Sequence, residues 1–454
     1  VRLFFLLLLL PATLHAAVQT YPAPGGLAPS PHYAVTVSQD GRTHDSFVYI
    51  SKAQWRSNRS KDTSWTTFSF SGKVTVTVRK LSGGFKSCRI LPSKYGITPT
   101  VDGRAASFTL DRPRKVSVEF DDPIPHPMLV FADPPETDVP KPDDSSVLCF
   151  GPGVHDIGKE FRIPAGKGVY LAGGAYVKGT LVAQDPKNLR IWGRGVLSGE
   201  QFGAKTVHLL HVRGWNTHNT RVEGITLANS PHFNLVLDGR RHVVRNVKMI
   251  SWWFSTDGVG CGPDGLVEDC FFKVNDDAVK LYHSGMRVRR CVIWQCENGA
   301  PFQISWNMPS DNSGFHVSDC IVLRCEHRWK NDNNAIFDAI HGGTGHMRDY
   351  LFENIHIENA PWRLVNLLMK KTEFSARQRG FGSISDVTFR NITVDGPQRL
   401  PNTIAGASAQ HRISNVTFEN VRVNGRLIRS AADGDFDIGP ETTSNVRFVV
   451  TDRQ

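Results

Sequence analysis

From about residue 190 the chain repeats one short pattern: apolar, polar, polar or small, apolar, followed by an alternating strand. Val222-Glu-Gly-Ile225, Val244-Arg-Asn-Val247, Val267-Glu-Asp-Cys270 and Val288-Arg-Arg-Cys291 come first. Val317-Ser-Asp-Cys320, Phe352-Glu-Asn-Ile355, Phe389-Arg-Asn-Ile392 and Phe418-Glu-Asn-Val421 continue the series. The first four phrases are evenly spaced, and the intervals lengthen after Val288. A minimum period of about 21 residues, filled by strands and turns alone, predicts one coil of a parallel β-helix per repeat. Leucine-rich repeats have a similar period but need a Leu-rich signature and an Asn ladder, neither of which the pattern suggests. Propeller blades need about 40 residues and hairpin signals. The longer intervals then carry inserted loops on one face of the coil.

The first third of the chain has a different period. His32-Tyr-Ala-Val-Thr-Val37, Phe47-Val-Tyr-Ile50, Lys73-Val-Thr-Val-Thr-Val78 and Lys115-Val-Ser-Val-Glu-Phe120 alternate with period two, with polar turns between them. That spacing predicts a small β-sandwich over residues 18–132. Residues 133–146 are rich in Pro and acids and read as a linker. Residues 147–454 then form the β-helix, so the fold class is all-β, a right-handed parallel β-helix preceded by a β-sandwich. At the front, Arg2, an apolar run and Ala16-Ala17 read as a signal peptide over residues 1–17. The expected location is secreted or periplasmic. No later stretch is long and apolar enough to predict a membrane span.

Composition narrows the function classes. The chain has 454 residues, 40% hydrophobic and 21% charged, with 40 Gly and 26 Pro. These values exclude a disordered chain and a coiled coil. The net charge of +10 raises the question of an anionic partner, but no basic run is interleaved with aromatics as nucleic-acid binding would require. Eight cysteines contain no C-x-x-C pair, which argues against a zinc site. Cys270, Cys291 and Cys320 fall at one position of three successive repeats and predict a stacked internal ladder rather than disulfides. Cys296 and Cys325 follow Cys291 and Cys320 at equal offsets and are expected to correspond to one another as well.

Carboxylates carry the candidate chemistry. Trp252-Trp-Phe-Ser-Thr-Asp-Gly258 precedes Val274-Asn-Asp-Asp-Ala-Val-Lys-Leu-Tyr-His-Ser-Gly285. The separation of Asp257 from Asp276 is close to one coil, which places them on adjacent rungs. Asp277 adds a third acid. Clustered carboxylates repel one another, which raises one pKa and leaves a protonated acid beside ionised neighbours. Glycoside hydrolysis needs that division. Strict alternation puts Lys280 and Tyr282 with Asp276 and puts Asp277 on the opposite side, so both acids reach one cleft only if the strand turns between them. A plain turn at Asn275-Asp276-Asp277 and a calcium site are the other readings.

At these residues the sequence resembles glycoside hydrolase family 49, the dextranase and isopullulanase family, in a clan shared with polygalacturonases. His44-Asp-Ser-Phe-Val-Tyr49, Val169-Tyr-Leu-Ala-Gly-Gly-Ala-Tyr-Val-Lys-Gly179 and Gly193-Arg-Gly-Val-Leu-Ser-Gly-Glu200 share in the resemblance, which is strongest over the two acidic segments. The polygalacturonase Gly-His-Gly motif is missing, and His341-Gly-Gly-Thr-Gly-His346 stands in the corresponding part of the chain. The resemblance implies a β-sandwich followed by a β-helix, and hydrolysis of a polysaccharide with inversion. It implies that Asp276 is the general acid and that Asp257 and Asp277 position or activate water. The motif leaves open which of those two is the base. No cofactor and no metal are expected.

Around the acids the expected sugar-binding groups are Lys280, Tyr282, Trp306 and Trp253, with Trp252 and Trp362 as further stacking candidates. Arg363 is a candidate for an anionic group. The expected substrate is an α-glucan of the dextran type, linked α-1,6 and cut internally. The alternatives are an anionic polysaccharide, suggested by the charge and by Arg240, Arg241, Arg289 and Arg290, and a non-catalytic glycan-binding helix. Oligomeric state is not legible in the pattern.

Overall fold

The computed structural model describes residues 18–53, 61–122, 124, 126–327 and 332–451. The expected signal peptide lies outside these residues.

Two sheets form the sandwich. Five antiparallel strands run in the order Arg42–Ser46, Tyr33–Gln39, Val74–Lys80, Ala105–Leu110, Thr100–Asp102. The facing sheet contains Val18–Thr20, Thr63–Phe70, Met128–Asp133, Arg114–Phe120 and Cys88–Leu91, with Val48–Ser51 added on Thr63–Phe70. Val35, Val37, Val76, Val78, Val116, Val118 and Val130 fill the space between them. The second sheet also buries its outer face. Tyr49, Trp65, Leu129 and Phe131 pack on Tyr176, Ile250, Trp252, Phe271 and Trp294 of the helix. Thr63–Phe70 and Met128–Asp133 are therefore buried at every residue. A strand covered on both faces carries no alternation of polar and apolar positions, so neither was visible as a period-two run.

The helix coils through three strands per turn. One column of 12 parallel strands runs from Val147–Phe150 to Thr443–Val449. The other two columns alternate within a single 21-stranded sheet. Each repeated phrase ends a strand of the 12-stranded column and turns into the next. Its third residue is Gly224, Asn246, Asp269, Arg290, Asp319, Asn354, Asn391 or Asn420, and all eight have φ between 53° and 79°. Gly, Asn and Asp tolerate this left-handed region best. Arg290 is the exception, and its guanidinium binds Asp269 at 2.8 and 2.9 Å and Glu268 at 2.7 Å. The two apolar positions flanking the turn point inward and stack: Phe352, Phe389, Phe418 and Phe448 lie with ring centroids 5.0 to 5.3 Å apart.

The turn residues also form an asparagine ladder, contrary to expectation. The Asn354 side chain donates to Asp319 at 3.3 Å, Asn391 to Asn354 at 3.0 Å and Asn420 to Asn391 at 3.3 Å. The same residue type satisfies the backbone and stacks on itself. Cys270, Cys291 and Cys320 are fully buried inside the coil, and none of the eight cysteines is in a disulfide. Their thiols approach the carbonyls of Glu268, Arg289 and Ser318 at 3.3, 3.4 and 3.2 Å. Cys296 and Cys325 do not correspond. An irregularity after Ile293 inserts Leu323 into the upper strand, so Cys325 pairs with Gln295. Cys296 faces the sandwich side instead.

The stretch read as a linker begins with an anchor. Asp133 ends a sandwich strand, is fully buried, and binds Lys248 at 2.7 Å, while Arg194 lies 3.8 Å away. Lys248 also donates to the Gly224 carbonyl at 2.7 Å. Burial pushes the Lys248 ammonium down to about 8, against the pull of Asp133. Burial opposes ionisation of Asp133, but Lys248 and Arg194 outweigh it and hold the carboxyl below its usual range. Further along, the Asp138 carbonyl accepts from Trp192 at 2.7 Å and the Pro134 carbonyl from Arg194 at 3.1 Å. The segment lies along the first coils. Lys248→Met leaves Asp133 without its closest cation and is expected to cost about 3–5 kcal/mol. Urea unfolding of the variant and the parent measures this; a loss below about 1 kcal/mol would contradict the anchoring role.

Candidate active site

The acids sit where a strand breaks. In the coil containing Phe271–Val274 and Val279–Lys280, residues 275–278 form the corner between the two columns of the large sheet. Asn275 ties this corner to its neighbours. Its amide donates to the Trp252 carbonyl at 2.8 Å in the coil below, and its side-chain oxygen accepts from the Asn298 N–H at 3.0 Å in the coil above. Gln295 donates to the Asp276 carbonyl at 2.8 Å. Gly299, with φ of 79°, lies flat on the corner, and a Cβ there would fall 2.3 Å from the Asp276 carbonyl carbon and the Asp277 nitrogen. Only glycine allows that approach.

Parallel pairing of Val259 with Val279 sets the stacking of the acids. Asp277 therefore sits directly above Asp257, and the Gly258 N–H donates to the Asp277 carbonyl at 2.9 Å. The coil is one position longer than the pairing of Asp257 with Asp276 assumed, so the stacked partner is Asp277. Asp276 occupies the corner beside this stacked pair. All three acids offer carboxylate oxygens within 4.8 Å of one another. The break in the strand resolves the problem of alternation, because all three side chains reach one cleft.

Lys280 holds the cluster together. Its ammonium lies 2.5 Å from Asp257 and 2.6 Å from Asp277. Burial disfavours its charge, but the two carboxylates outweigh burial and raise its pKa well above the usual value. Asp257 is pushed up to about 6, by burial first; Lys280 pulls the other way, and Asp277 adds to the rise. Asp276 makes no such ion pair with Lys280. Burial raises its pKa well above the ordinary carboxyl range, and Asp257 and Asp277 raise it further. Its Oδ2 accepts from the Ser255 N–H at 2.9 Å and from Asn298 at 2.8 Å, which fixes its direction. Asp277 accepts from the Ala300 N–H at 3.0 Å. The arrangement favours the neutral form of Asp276, beside Asp257 and Asp277, which share a single ammonium. That ammonium occupies the space a divalent cation would need to reach Asp257 and Asp277 together.

The cleft has a volume of about 640 Å³. Besides the acids and Lys280 it is lined by Tyr282, Trp306, His232, Phe233, Asn298 and Phe374, among others. Tyr282 contributes a buried hydroxyl without a hydrogen-bond partner, a group that a sugar hydroxyl would satisfy. Trp306 stands edge-on to Phe374 with centroids 5.5 Å apart, and Phe374 is 60% exposed. Phe374 comes from a long loop that Asn307 grips through its carbonyl at 3.0 Å. Nothing in the local pattern pointed to Phe374, His232 or Phe233, because each joins the site only through stacking or a loop.

Other expectations separate. Trp253 is half-buried and is not among the residues lining the cleft. Trp252 is core: it packs against the sandwich and faces the Lys273 ammonium at 4.4 Å. Trp362 is buried and donates to the His327 carbonyl at 2.6 Å. Arg363 is half-buried against Thr403 at 3.0 Å and Asn366 at 3.4 Å. His341 is buried, shares a 2.8 Å hydrogen bond with Ser305 and a 2.9 Å contact with the Gly345 carbonyl, and so supports the turn that carries Trp306. A further buried acid, Asp338, lies inside the fully buried strand Ala335–Ile340. Burial pushes its pKa well up, and it accepts a hydrogen bond from Asn366 at 3.3 Å.

No family model matches the sequence. A dextranase from Arthrobacter sp. (strain CB-8) is 31% identical over 225 residues, which cover 42% of this chain and 35% of that protein. A dextranase from Talaromyces minioluteus is 30% identical over 44% of this chain and 38% of its own length. The chain thus spans about a third of the length of the dextranases it matches. An isopullulanase from Aspergillus niger is 25% identical over 84% of this chain and 82% of its own length. The fold matches Dex49A from Penicillium minioluteum with a TM-score of 0.76 and 19% identity, over 95% of this chain and 96% of that one. It matches the Yersinia enterocolitica family 28 exopolygalacturonase with a TM-score of 0.52 and 12% identity, over 83% and 96%. The expected helix and sandwich are in place, and in sequence the chain is similar to these dextranases and to the isopullulanase.

Proposed function

We propose that the protein is an exported hydrolase of a neutral α-glucan, acting on α-1,6 links of the dextran type. The observation that carries the substrate class is the charge of the cleft. Among the described residues that line it, Lys280 is the sole Lys or Arg, and it is already shared by Asp257 and Asp277. A uronic or sulfated chain would meet carboxylates rather than free cations. Three of the four arginines that suggested an anionic substrate are engaged elsewhere. Arg289 and Arg290 bind Glu268, both at 2.7 Å, on the 12-stranded column, and Arg241 bonds Asn219 at 3.2 Å. The dextranase names of the relatives support the linkage.

In this reading the neutral carboxyl of Asp276 protonates the leaving glycosidic oxygen, and Asp257 with Asp277 holds and deprotonates the attacking water. Lys280 favours the ionised form of Asp257 and holds Asp277 beside it. Tyr282 and the pair of Trp306 and Phe374 bind sugar on the flanks. The closest oxygens of the acids are nearer than the roughly 6.5–9.5 Å typical between carboxyl groups of inverting enzymes. The anomer of the first product is therefore the discriminating measurement. Proton NMR of a dextran digest should show the β-anomer first, and an α-anomer would overturn inversion.

Asp276→Asn is expected to lower kcat on dextran by at least ~10²–10⁴-fold. The same change should stabilise the fold at pH 7. A carboxyl whose pKa is raised on folding contributes stability below its unfolded value and loses it as pH rises above that value. Asn carries no such cost, and about 0.5–2 kcal/mol is the expected gain. Reducing-sugar release and thermal melting test both halves; near-normal turnover would sink the assignment of Asp276.

The pH profile should be bell-shaped. Asp257, pushed up to about 6, must be ionised, so activity falls as pH drops through that value. Asp276 must be protonated, so activity falls again on the alkaline side. Lys280→Met removes the cation that favours ionised Asp257 and should move the acid limb to higher pH. Measured kcat/KM against pH for both proteins gives the answer, and an unmoved limb would exclude Lys280 from tuning Asp257.

A further inference from the structure

Two aromatic side chains among the described residues are more than half exposed. Phe374 lines the cleft, and Trp215, at 76% exposure, lies outside it. A single exposed apolar residue is ordinary. Trp215 differs in the way it is held. It sits in the turn after the strand Leu210–Arg213. The Gly214 N–H donates to Asp238 at 3.1 Å, the Thr217 N–H donates to the Gly214 carbonyl at 3.2 Å, and the Thr217 hydroxyl donates to the Asp238 carbonyl. Gly214 has φ of 107°, and a Cβ there would fall 1.9 Å from the Asp185 carboxylate. The turn is thus pressed onto Asp185 and pinned at both ends, with the indole left in water.

Beside this turn lies a groove of about 650 Å³, apart from the catalytic cleft. Arg213 and Asp185, which flank the turn, line it together with Gln184, Lys187 and Asn188. Arg213 is ion-paired to Glu160 and Arg190 to Asp138, while Arg162, Lys167 and Lys187 also line the groove, so its rim is basic and rich in hydrogen-bond donors. A flat apolar face next to convergent hydroxyl-binding groups is the arrangement that receives a pyranose ring: the ring stacks on the indole and its hydroxyls bond to carboxylate, amide and ammonium.

The position fits a polymer. Leu210–Arg213 stacks beneath Leu235–Leu237, which stacks beneath Val259–Cys261, the strand that follows Asp257. Two coils at about 4.8 Å each separate Trp215 from the catalytic rung along the axis. The turn also lies at the opposite end of its strand from the corner that carries the acids. A glucan chain can engage both places; a sugar of two or three units held at the acids need not reach the turn.

We propose that Trp215, with Asp185, Lys187 and Asn188, forms a second, non-catalytic glycan site that holds a distant segment of the same polysaccharide. This rests on the reading of the protein as a glucan hydrolase. The experiment uses the full chain carrying Asp276→Asn, run in native gels containing dextran, pullulan or polygalacturonate, with and without Trp215→Ala. Dextran should retard the parent, and Trp215→Ala should weaken that retardation about tenfold in apparent affinity, with Trp215→Phe restoring much of it. In the active protein, Trp215→Ala should raise KM on long dextran and leave kcat/KM on isomaltotriose unchanged. Equal retardation with and without Trp215, in a protein that still cleaves dextran, overturns the second site alone. Absence of cleavage of every polymer overturns the glucan reading and the site with it. Loss of a dimer on Trp215→Ala in sedimentation, with retardation unchanged, assigns the indole to self-association and overturns the proposal.

Discussion

Each coil must turn where the coil below it turns, because every strand is hydrogen-bonded in parallel register to the next. That constraint produces most of what the molecule shows. It selects Gly, Asn and Asp at the left-handed position of the repeated phrase, and the same residues then stack into an amide ladder. It places Phe on Phe and Cys on Cys inside the coil. It also brings a side chain from one rung within reach of the rung above, so that Asp257 and Asp277, a full coil apart in sequence, become neighbours.

The active-site cluster exploits the single kind of place where this order relaxes. At a corner between columns, strand alternation stops and consecutive residues point in unrelated directions. Asp276 and Asp277 face the cleft together for that reason. Their mutual repulsion would open the corner if the coils on either side did not clamp it. Asn275 reaches both neighbours, Gly299 closes over the top, and Lys280 bridges the stacked pair. The reactive arrangement is therefore held by the stack rather than by its own contacts. Three clustered carboxyl groups are an unfavourable arrangement that a rigid scaffold holds in place.

How much of this was readable followed from the reach of each interaction. The helix was legible because its determinant, the turn phrase, recurs locally in every coil. Asp257, Asp276 and Asp277 were legible as a group because three acids in short segments stand out from a strand background. Their stacking was misjudged by a single position, since the length of a coil is set by corner geometry that composition does not encode. The same failure separates Cys296 from Cys325, where the extra Leu323 shifts the register. Thr63–Phe70 and Met128–Asp133 escaped notice because burial on two faces erases alternation. Phe374 was out of reach for a different reason: it meets Trp306 from far along the chain, through a loop that has no periodic signal.

The net charge of +10 looked at first like a clue to the substrate. In the fold many of the arginines serve the outer face of the 12-stranded column. Arg245, Arg289 and Arg290 converge on Glu268, and Arg190, Arg221 and Arg245 on Glu223. Stacking repeats like charges at a fixed spacing of about 4.8 Å, so a column of arginines needs acids interleaved across rungs to stay in register. Those residues answer to the helix and not to a ligand. The cleft inverts the balance, with three acids against one lysine. Under the proposed function, a polysaccharide bound there is selected by hydroxyl-bonding groups and aromatic faces, and a chain bearing its own negative charges is disfavoured by the same carboxylates.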